Sequence, residues 1–173
     1  MSADAPAVTV REAGPRDAAA VARIYNEGIE DRVATFETDL RTPADIEARI
    51  AGGEAMVVAE RAGAVVGFAS LLPYSDRCAY AGVVEYTLYV ARGARGARVG
   101  SSLLRELVTR AEARGLTKIL GLIMDDNEAS LALARRHGFR EVGVHRRHGR
   151  LDGAWRDVTV VELLVGEAAD DAA

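Results

Sequence analysis

Residues 85–107 read EYTLYVARGARGARVGSSLLREL, and this stretch decides how the rest of the chain is arranged. Its first six residues alternate in character, with Glu85, Thr87 and Tyr89 on one side, and this period of two predicts a strand with one solvent-facing face. Three glycines and three arginines follow in residues 91–100, and leucines then recur at helical spacing. A strand, a cationic glycine turn and a helix start together aim free backbone N–H groups and a helix dipole at an anion. The stretch therefore predicts an anion-binding turn.

Length and composition favour one soluble globular domain. The chain has 173 residues, of which 49% are hydrophobic and 28% charged, and this is enough to build a substantial core. Its net charge of −4 gives no reason to expect a nucleic acid or an anionic membrane as partner. A single cysteine, Cys78, excludes an internal disulfide, and the N-terminus lacks the basic and apolar segments of a secretory signal. No apolar run approaches the roughly 18 residues of a membrane span, so we expect a cytoplasmic protein.

The remaining hydrophobic patterns predict alternating strands and helices in a single domain. Strands are predicted at 8–12, 55–60, 64–72, 85–90, 118–124 (buried on both faces), 139–147 and 154–165; helices are predicted from an Asp17 cap to Ile29, from a Thr42 cap to Ile50, at 101–113 and at 128–136. The third helix forms a parallel crossover, and Asp152-Gly153 is a hairpin turn. The fold class is therefore α/β (α+β), a mixed sheet with helices on both faces. We expect residues 1–7 to be flexible, 8–165 to form the domain, and the acidic 166–173 to be frayed.

The glycine turn matches neither of two common phosphate-binding motifs. A Walker loop needs Gly-Lys-Ser/Thr, but serines follow Gly100 directly, and the glycine spacing is not that of a dinucleotide fingerprint. The turn does fit Arg/Gln-x-x-Gly-x-Gly/Ala at 95–100, and it resembles the pyrophosphate loop of the GNAT superfamily of acetyl-CoA-dependent N-acetyltransferases. Arg98 replaces the first glycine of that pattern. The successive amides of the turn can still hold the pyrophosphate, provided that Arg98 adopts the turn without a costly positive φ. Taken alone, such a turn is equally compatible with an ordinary strand-to-helix connection.

Further segments resemble the phosphinothricin N-acetyltransferase branch of this superfamily. They are Arg77-x-x-Tyr80-x4-Glu85-x-Thr87-x-Tyr89-Val90, IYN at 24–26, VATFET at 33–38 and GAWRDV at 153–158. Residues 145–157, HRRHGRLDGAWRD, most closely resemble the arsinothricin N-acetyltransferases. The resemblance covers 8–165 and implies a GNAT-like, mostly antiparallel central sheet. It also implies acetyl transfer from acetyl-CoA to the α-amino group of a small anionic amino-acid analogue, phosphinothricin or arsinothricin, which would give resistance by detoxification.

The resemblance implies Glu85 as the general base that removes a proton from the substrate ammonium. The alternative is a solvated glutamate on the polar face of a strand. The implied coenzyme-binding residues are Leu88, Tyr89, Val90, Arg95, Gly96, Ala97, Arg98, Val99, Gly100, Ser101, Asn127 and Ser130. The strand backbone would pair with the pantetheine arm and polarise the thioester oxygen, and the turn would hold the pyrophosphate. Asn127 followed by Ser130 also fits a helix N-cap, so both roles stay open.

The implied substrate-binding residues are Phe36, Arg77, Tyr80 and Arg32. An arginine presents a fork of donors that suits a phosphinate or an arsinate, although a surface arginine and core aromatic residues would explain the same positions. Many relatives have a tyrosine at position 134 that protonates the leaving thiolate. Ala134 stands there in this chain, so the proton donor is left unassigned.

The segment 135–150 contains all three histidines, His137, His145 and His148, among many arginines. Its spacing fits no metal site, aromatic residues are not interleaved with its arginines as in a nucleic-acid patch, and the whole chain is acidic. We expect a solvated or interfacial surface that also helps to bind the coenzyme 3′-phosphate. Trp155 is expected as a packing anchor of the last hairpin and Asp157 as a hydrogen-bond partner in it or a dimer contact.

A homodimer is implied by the resemblance alone. Other functions compatible with the sequence are acetylation of methionine sulfoximine or another small amine, a non-catalytic acyl-CoA sensor, and a protein-lysine acetyltransferase. An acetyl-cysteine route through Cys78 is disfavoured, because no activating base is apparent beside it.

Overall fold

The computed structural model of the protein describes residues 7–170 and contains seven strands and five α-helices within them. The strands are β1 (Val8–Glu12), β2 (Ala55–Arg61), β3 (Ala64–Pro73), β4 (Val83–Val90), β5 (Lys118–Met124), β6 (Arg140–Leu151) and β7 (Ala154–Leu164). The helices are α1 (Ala18–Asp31), α2 (Pro43–Ala51), α3 (Val99–Ala113), α4 (Glu128–Arg136) and α5 (Glu167–Asp170). Within the described residues no helix is long and apolar enough to cross a membrane.

The strands form one sheet in the order β1-β2-β3-β4-β5-β7-β6. Only β4 and β5 run parallel, joined by α3, and every other neighbouring pair is antiparallel. The hairpin turns contain Ala62-Gly63 and Asp152-Gly153, all four with positive φ, as a two-residue turn of type I′ requires. The prediction of a single-domain, mixed and mostly antiparallel sheet is confirmed.

Helices cover both faces of the central strand β4. On one face Tyr89 packs against Tyr25 of α1 and Phe68 of β3, with ring centroids 4.8 and 5.4 Å apart. Gly28 allows this approach, because a Cβ there would lie 2.5 Å from Cδ1 of Tyr89. On the other face Leu88 lies beside the start of α3. The prediction that this face of β4 is exposed to solvent is therefore wrong, because α1 covers it.

The face of the sheet on which α1 packs is not covered by a helix at β5, the strand after β4. Glu85 pairs with Leu120 of β5, so Leu120 and Leu122 share the face of Glu85. Leu122 is 43% exposed, which corrects the prediction that β5 is buried on both faces. Trp155 is 50% exposed with Arg150 stacked 4.5 Å from its ring, so it is not a packing anchor within this chain.

Side-chain caps mark the start of α2 and of α4 but not that of α1. Thr42 and Asp45 form the predicted capping box of α2. Asp17 precedes α1 but makes no cap bond, because its carboxylate accepts from Arg11 at 2.7 and 2.8 Å instead. Part of the expected frayed tail is helical as α5, with Glu167 placed favourably in its first turn. The predicted flexible N-terminus lies, apart from Ala7, outside the described residues, as do residues 171–173.

Candidate functional site

The parallel strands β4 and β5 separate at Glu85. Their pairing runs from Val83 with Lys118 to Glu85 with Leu120 and then stops. Strand β4 nevertheless continues to Val90, paired on its other side with β3 as far as Gly67. One edge of β4 after Glu85 therefore has no strand beside it. A cleft opens there, with backbone N–H and C=O groups along its side.

Tyr86 lies at the point of separation and fills the space between the strands. A Cβ on Gly121 of β5 would lie 2.5 Å from Cε1 of Tyr86, so the ring occupies the place of a side chain on β5. The ring also packs edge-on against Phe139, with centroids 5.4 Å apart. Tyr86 thus acts as a wedge that only a glycine at position 121 accommodates.

Glu85 is the carboxylate at the closed end of this cleft. It is half-buried, and burial raises the pKa of its carboxyl above the ordinary value. No hydrogen bond to another described residue offsets this effect on the pKa. On the same face, Thr87 and Ser70 of β3 hydrogen-bond through their hydroxyls at 3.0 Å. A carboxylate with a raised pKa is suited to take a proton from a bound ammonium group.

The predicted strand residues contribute backbone to the cleft. Ala91 N donates to Val66 O of β3, so the Val90 carbonyl of the same trans peptide faces the cleft. Leu88, two residues earlier, directs its backbone the same way. The Tyr89 ring is packed against α1, so only the backbone of Tyr89 belongs to this strand edge.

Arg95 is held by protein groups. Its Nε donates to Val90 O at 3.2 Å and its Nη2 to Asp31 Oδ2 at 2.6 Å. Asp31, the last residue of α1, also accepts from Arg92 Nε at 2.9 Å, and the Arg92 amide donates to Glu27 at 2.6 Å. Arg92 therefore joins the turn to α1 through hydrogen bonds and ion pairs. That the Arg95 guanidinium contacts pyrophosphate stays a prediction.

The turn between β4 and α3 uses two left-handed residues. Gly96 has φ +77° and Arg98 has φ +61°. The condition set from the sequence, that Arg98 adopts the turn without a positive φ, is not met, and this conformation costs about 1 kcal/mol in a residue with a Cβ. Because Arg98 is the N-cap, α3 begins at Val99, two residues before the predicted start.

The amides at the start of α3 are free of intrahelical partners, as in the first turn of any helix. Val99 is buried in the core and Ala97 is half-buried, so these residues can offer only backbone to a ligand. A Cβ on Gly100 would lie 3.2 Å from Leu133 of α4, so the glycine permits a close helix approach. Ser101 bonds through Oγ to Nε2 of His137 at 2.7 Å.

Asn127 is the N-cap of α4, which confirms that interpretation of the sequence. Its Oδ1 accepts from Ser130 N and its Nδ2 donates to Val33 O, both at 3.1 Å. The side chain therefore joins α4 to the segment that follows α1. A coenzyme contact of Asn127 or Ser130 stays a prediction. Ala134 is fully buried and offers no proton donor.

Two of the predicted substrate residues, Arg77 and Tyr80, lie together in the segment between β3 and β4. The guanidinium of Arg77 is 6.0 Å from the Tyr80 ring, and the Tyr74 ring meets that of Tyr80 edge-on at 5.6 Å. Arg77 and Tyr80 are exposed, and Arg77 forms no ion pair within residues 7–170. The structure thus leaves a free cation beside two aromatic rings.

The other two predicted substrate residues lie between α1 and α2 and contact the last hairpin. The Phe36 ring covers Gly149, where a Cβ would come within 2.6 Å of it. Arg32 ends α1 with φ +59° and pairs with Asp152 at 3.4 Å. Asn26 fixes the end of this segment through two bonds to the backbone of Arg41. Arg32 is thus engaged with the hairpin turn, and a substrate contact stays a prediction.

Several residues of this region were missed by sequence reasoning. Asp31 and Tyr86 were given no role, because each is an ordinary residue for its helix or strand; Asn26 was noted only within the IYN segment and His137 only within segment 135–150. The excess of arginine in 91–100 was the one sequence signal that pointed to Asp31, because these cations need carboxylates nearby. Two surface cavities of about 420 and 480 Å³ lie elsewhere, and neither is lined by Glu85.

Comparison with known proteins agrees with this geometry. The chain matches the Acetyltransferase (GNAT) family over residues 21–139. It is 32% identical over 163 residues to an L-methionine sulfoximine/L-methionine sulfone acetyltransferase of Pseudomonas paraeruginosa, covering 90% of this chain and 93% of that protein. It is 35% identical over 162 residues to the phosphinothricin N-acetyltransferase of Streptomyces coelicolor, covering 90% and 95% respectively.

A solved structure supports the same relationship. The GNAT superfamily phosphinothricin acetyltransferase of Sinorhizobium meliloti, crystallised with acetyl-CoA, superposes with a TM-score of 0.88 and 32% identity, over 94% of this chain and 91% of that one. The sheet with its separated parallel strands thus has the fold of an acetyltransferase that was crystallised with acetyl-CoA. This chain is an acetyltransferase and belongs to the GNAT family.

Proposed function

We propose that this enzyme transfers acetyl from acetyl-CoA to the α-amino group of a small anionic amino-acid analogue of the phosphinothricin or arsinothricin type, and so detoxifies it. The observation that carries the proposal is Glu85, a half-buried carboxyl with a raised pKa where β4 and β5 separate. The names of the relatives support an amino-acid analogue as acceptor. A cytoplasmic location and a homodimer are parts of this proposal.

The cleft fits acetyl-CoA as a co-substrate. The free edge of β4 offers backbone groups of Leu88 to an extended pantetheine arm, and the first turn of α3 offers amides to the pyrophosphate. Gly100 keeps this turn close to α4 without a side chain in between. Asp31 holds the turn in place through Arg92 and Arg95.

The reaction follows from the position of Glu85. The carboxylate accepts a proton from the substrate ammonium, directly or through water. The neutral amine attacks the thioester carbonyl carbon, and a backbone N–H of β4 stabilises the negative charge on the oxygen. The C–S bond then breaks, the nitrogen gives up its second proton as it becomes the amide, and the coenzyme leaves as a thiolate that takes up a proton. We assign no side chain to this last protonation, since position 134 is a buried alanine.

Substrate recognition is assigned to Arg77 and Tyr80, with Phe36 as a wall and Arg32 supporting the hairpin side. The exposed guanidinium of Arg77 would bind the phosphinate or arsinate oxygens by charge-assisted hydrogen bonds. The second candidate acceptor is methionine sulfoximine, which the 32% identity to a methionine sulfoximine acetyltransferase favours. Both acceptors share the same α-amino chemistry at Glu85.

The test is a thiol-release assay with acetyl-CoA and a panel of acceptors. The panel contains phosphinothricin, arsinothricin, methionine sulfoximine, common amino acids, polyamines and a lysine peptide. Highest kcat/KM for phosphinothricin or arsinothricin is the expected result. Preference for methionine sulfoximine would select the second candidate, and preference for the lysine peptide would overturn both. Absence of turnover despite acetyl-CoA binding would indicate a sensor.

The role of Glu85 is tested with Glu85→Gln and a control on the edge strand, Glu141→Gln. We expect Glu85→Gln to lower kcat by about 10²-fold while the Kd of acetyl-CoA stays unchanged, since only proton transfer is lost. Glu141 is exposed and its replacement should leave kcat unaltered. An equal loss of coenzyme binding in Glu85→Gln would show that the residue is structural.

A further inference from the structure

Two hydroxyl groups on the face of Glu85 form a bond to which the acetyl transfer proposed above gives no role. Ser70 of β3 lies directly opposite Thr87 of β4, and their side-chain oxygens are 3.0 Å apart. Ser70 is completely buried, whereas Thr87 and Glu85 are both half-buried. Thr87 follows Glu85 by two residues, so both side chains stand on the same face of β4. The hydroxyl pair thus leads from the core to the face that carries the carboxyl.

Burial decides which of the two hydroxyls donates this bond. The pair holds two protons, and only one of them can lie between the oxygens. The other cross-strand neighbour of Ser70 is the apolar Met56 of β2, and Ser70 makes no further side-chain hydrogen bond within residues 7–170. If Thr87 donated, the Ser70 proton would be buried without an acceptor, which is costly. Ser70 therefore donates to Thr87, and the Thr87 proton is left for a partner outside the pair.

Thr87 and Glu85 together select the kind of group that can bind between them. Their Cα atoms are separated by two strand steps of about 3.4 Å each, and no hydrogen bond of the described residues joins the two side chains. The ionised carboxylate only accepts and the Thr87 O–H donates, so a bridging group has to donate on one side and accept on the other. An ammonium group has no lone pair with which to accept, and an amine needs its single lone pair for the attack. A water molecule does both.

We propose that Ser70 and Thr87 position a water molecule through which Glu85 takes the proton of the acceptor ammonium. The inference rests on the proposed function, because it presupposes Glu85 as the base and an amine as the acceptor. Ser70 turns the Thr87 hydroxyl so that its proton is donated to the water oxygen. Both residues act through the water and touch neither the acceptor nor the coenzyme, so they are positioning residues.

The proton transfer through this water is balanced. An N–H bond of the ammonium breaks and its proton passes to the water oxygen, while a proton of the same water passes to the Glu85 carboxylate. The water is regenerated, and the nitrogen keeps the electron pair with which it attacks the thioester carbon. The water oxygen has two lone pairs, one for the Thr87 proton and one for the ammonium proton.

A simpler explanation is that the hydroxyl pair only ties β3 to β4. Opposed serine and threonine residues do stabilise neighbouring strands. A tie is complete with the one shared proton, and two apolar residues of similar shape would serve about as well. It therefore accounts for the bond between Ser70 and Thr87, but not for a free donor on the same face as Glu85.

The pH dependence of the reaction distinguishes the two explanations. The neighbours of Glu85 in the adjoining strands are Leu72 and Leu120, and no charged group of the described residues acts on it, so burial alone raises the pKa of its carboxyl. A water that donates to the ionised carboxylate opposes this effect. Without the Thr87 hydroxyl the water is held less firmly, and the pKa of Glu85 rises further. The acid limb of kcat/KM should then move to higher pH, whereas loss of a structural tie would leave it in place.

The experiment follows thiol release with acetyl-CoA and the amine of the acceptor panel that reacts fastest. Thr87→Val, which keeps the shape of the side chain, should lower kcat about tenfold through the loss of one positioning hydrogen bond, with the KM of the amine and the Kd of acetyl-CoA unchanged. The acid limb of its kcat/KM profile should lie at higher pH than that of the wild type. Thr87→Ser keeps the hydroxyl and should stay within about threefold of the wild-type kcat.

Two further variants complete the set. Ser70→Ala should lower kcat about threefold and add little to Thr87→Val, because both act through the same hydroxyl proton. Thr159→Val in β7 is the matched control, a buried threonine on another strand, and should leave kcat unaltered. Thermal unfolding shows whether each variant is folded, and Ser70→Ala tests the pair from its buried end if Thr87→Val is unstable.

Three results would overturn the role in positioning water: an unchanged kcat in Thr87→Val and Ser70→Ala, an equal loss in Thr87→Ser and Thr87→Val, or a raised KM of the amine at constant kcat. The last would show that Thr87 binds the amine itself. Because the fastest amine is used, a wrong assignment of the acceptor leaves the comparison intact. Absence of turnover in the wild type would instead overturn the proposed function, and this inference with it.

Discussion

Replacing Gly121 by alanine tests whether Tyr86 is the wedge that separates β4 from β5. The new Cβ would lie 2.5 Å from Cε1 of Tyr86 and 2.8 Å from Cγ2 of Val161. Neither neighbour can move freely, because Val161 is fully buried and the Tyr86 ring is packed against Phe139. We expect Gly121→Ala to destabilise the fold and to weaken acetyl-CoA binding at the cleft.

The sign of this effect follows from two opposing contributions. Overpacking in a core costs about 1–3 kcal/mol. Alanine recovers about 0.4–1 kcal/mol, because it restricts the unfolded chain more than glycine does. The steric overlap therefore outweighs the entropic gain, with a net loss of about 1–2 kcal/mol in the free energy of unfolding. For a chain of this length the corresponding fall in Tm is about 2–8 °C.

The assay is thermal unfolding followed by circular dichroism, together with calorimetric titration of acetyl-CoA. Gly143→Ala in β6 is the matched control, because no atom lies within 4 Å of a Cβ at that position. Adding Tyr86→Leu should reduce the cost of Gly121→Ala, since the closest ring atoms are then absent. A Tm at or above that of the wild type, or an unchanged cost in the Tyr86→Leu background, would refute the wedge.

Three further predictions concern the cleft. Arg77→Ala should raise KM for an anionic acceptor about tenfold and leave KM for acetyl-CoA unchanged; equal changes in both would remove Arg77 from the acceptor site. Asp31→Asn should raise the Kd of acetyl-CoA about three- to tenfold, and its effect should not add to that of Arg95→Ala, because the two residues form one ion pair. Glu30→Gln, which removes only an ion pair of Arg92, should leave the Kd unchanged. Additive effects of Asp31→Asn and Arg95→Ala would contradict a shared role. Burial raises the pKa of Glu85 in the folded protein, so its ionised form lowers the free energy of unfolding at high pH. Glu85→Gln should therefore raise Tm at pH 8, but not below about pH 4, where the carboxyl is protonated. A lower Tm for Glu85→Gln at pH 8 would contradict this prediction.

The sequence predicted the order of elements because most of them carry local signals. The Thr42–Asp45 cap and the Asp152-Gly153 turn each specify a backbone geometry within four residues. Whether a helix covers one face of a strand is not set by the residues of that strand alone. Tyr89 lies in an alternating strand and Leu122 in an apolar one, yet α1 covers Tyr89 and leaves Leu122 exposed. Nothing within a strand records where a distant helix packs, so both of those predictions failed.

Arg98 shows how the surrounding structure can impose a backbone conformation that the residue type disfavours. The position fits the pyrophosphate pattern, whose glycine adopts a positive φ without strain. The arginine at this place adopts φ +61° all the same, because the helix that starts at Val99 and the strand that ends at Val90 fix the ends of the turn. The surrounding structure over-determines the turn and absorbs about 1 kcal/mol of strain.

The Arg95 side chain is held by protein groups in the same turn. The motif suggests a cation that is free to meet the pyrophosphate, but the guanidinium spans Asp31 Oδ2 and the carbonyl of Val90. A guanidinium bound to both groups orients the backbone of the turn, and its contact with the pyrophosphate stays a prediction. The position of the amides in the turn then depends on a carboxylate at the end of α1, more than 60 residues earlier in the chain. This dependence joins the coenzyme turn to the helix that leads into the Phe36 segment, so a change at Asp31 should be felt first in coenzyme affinity.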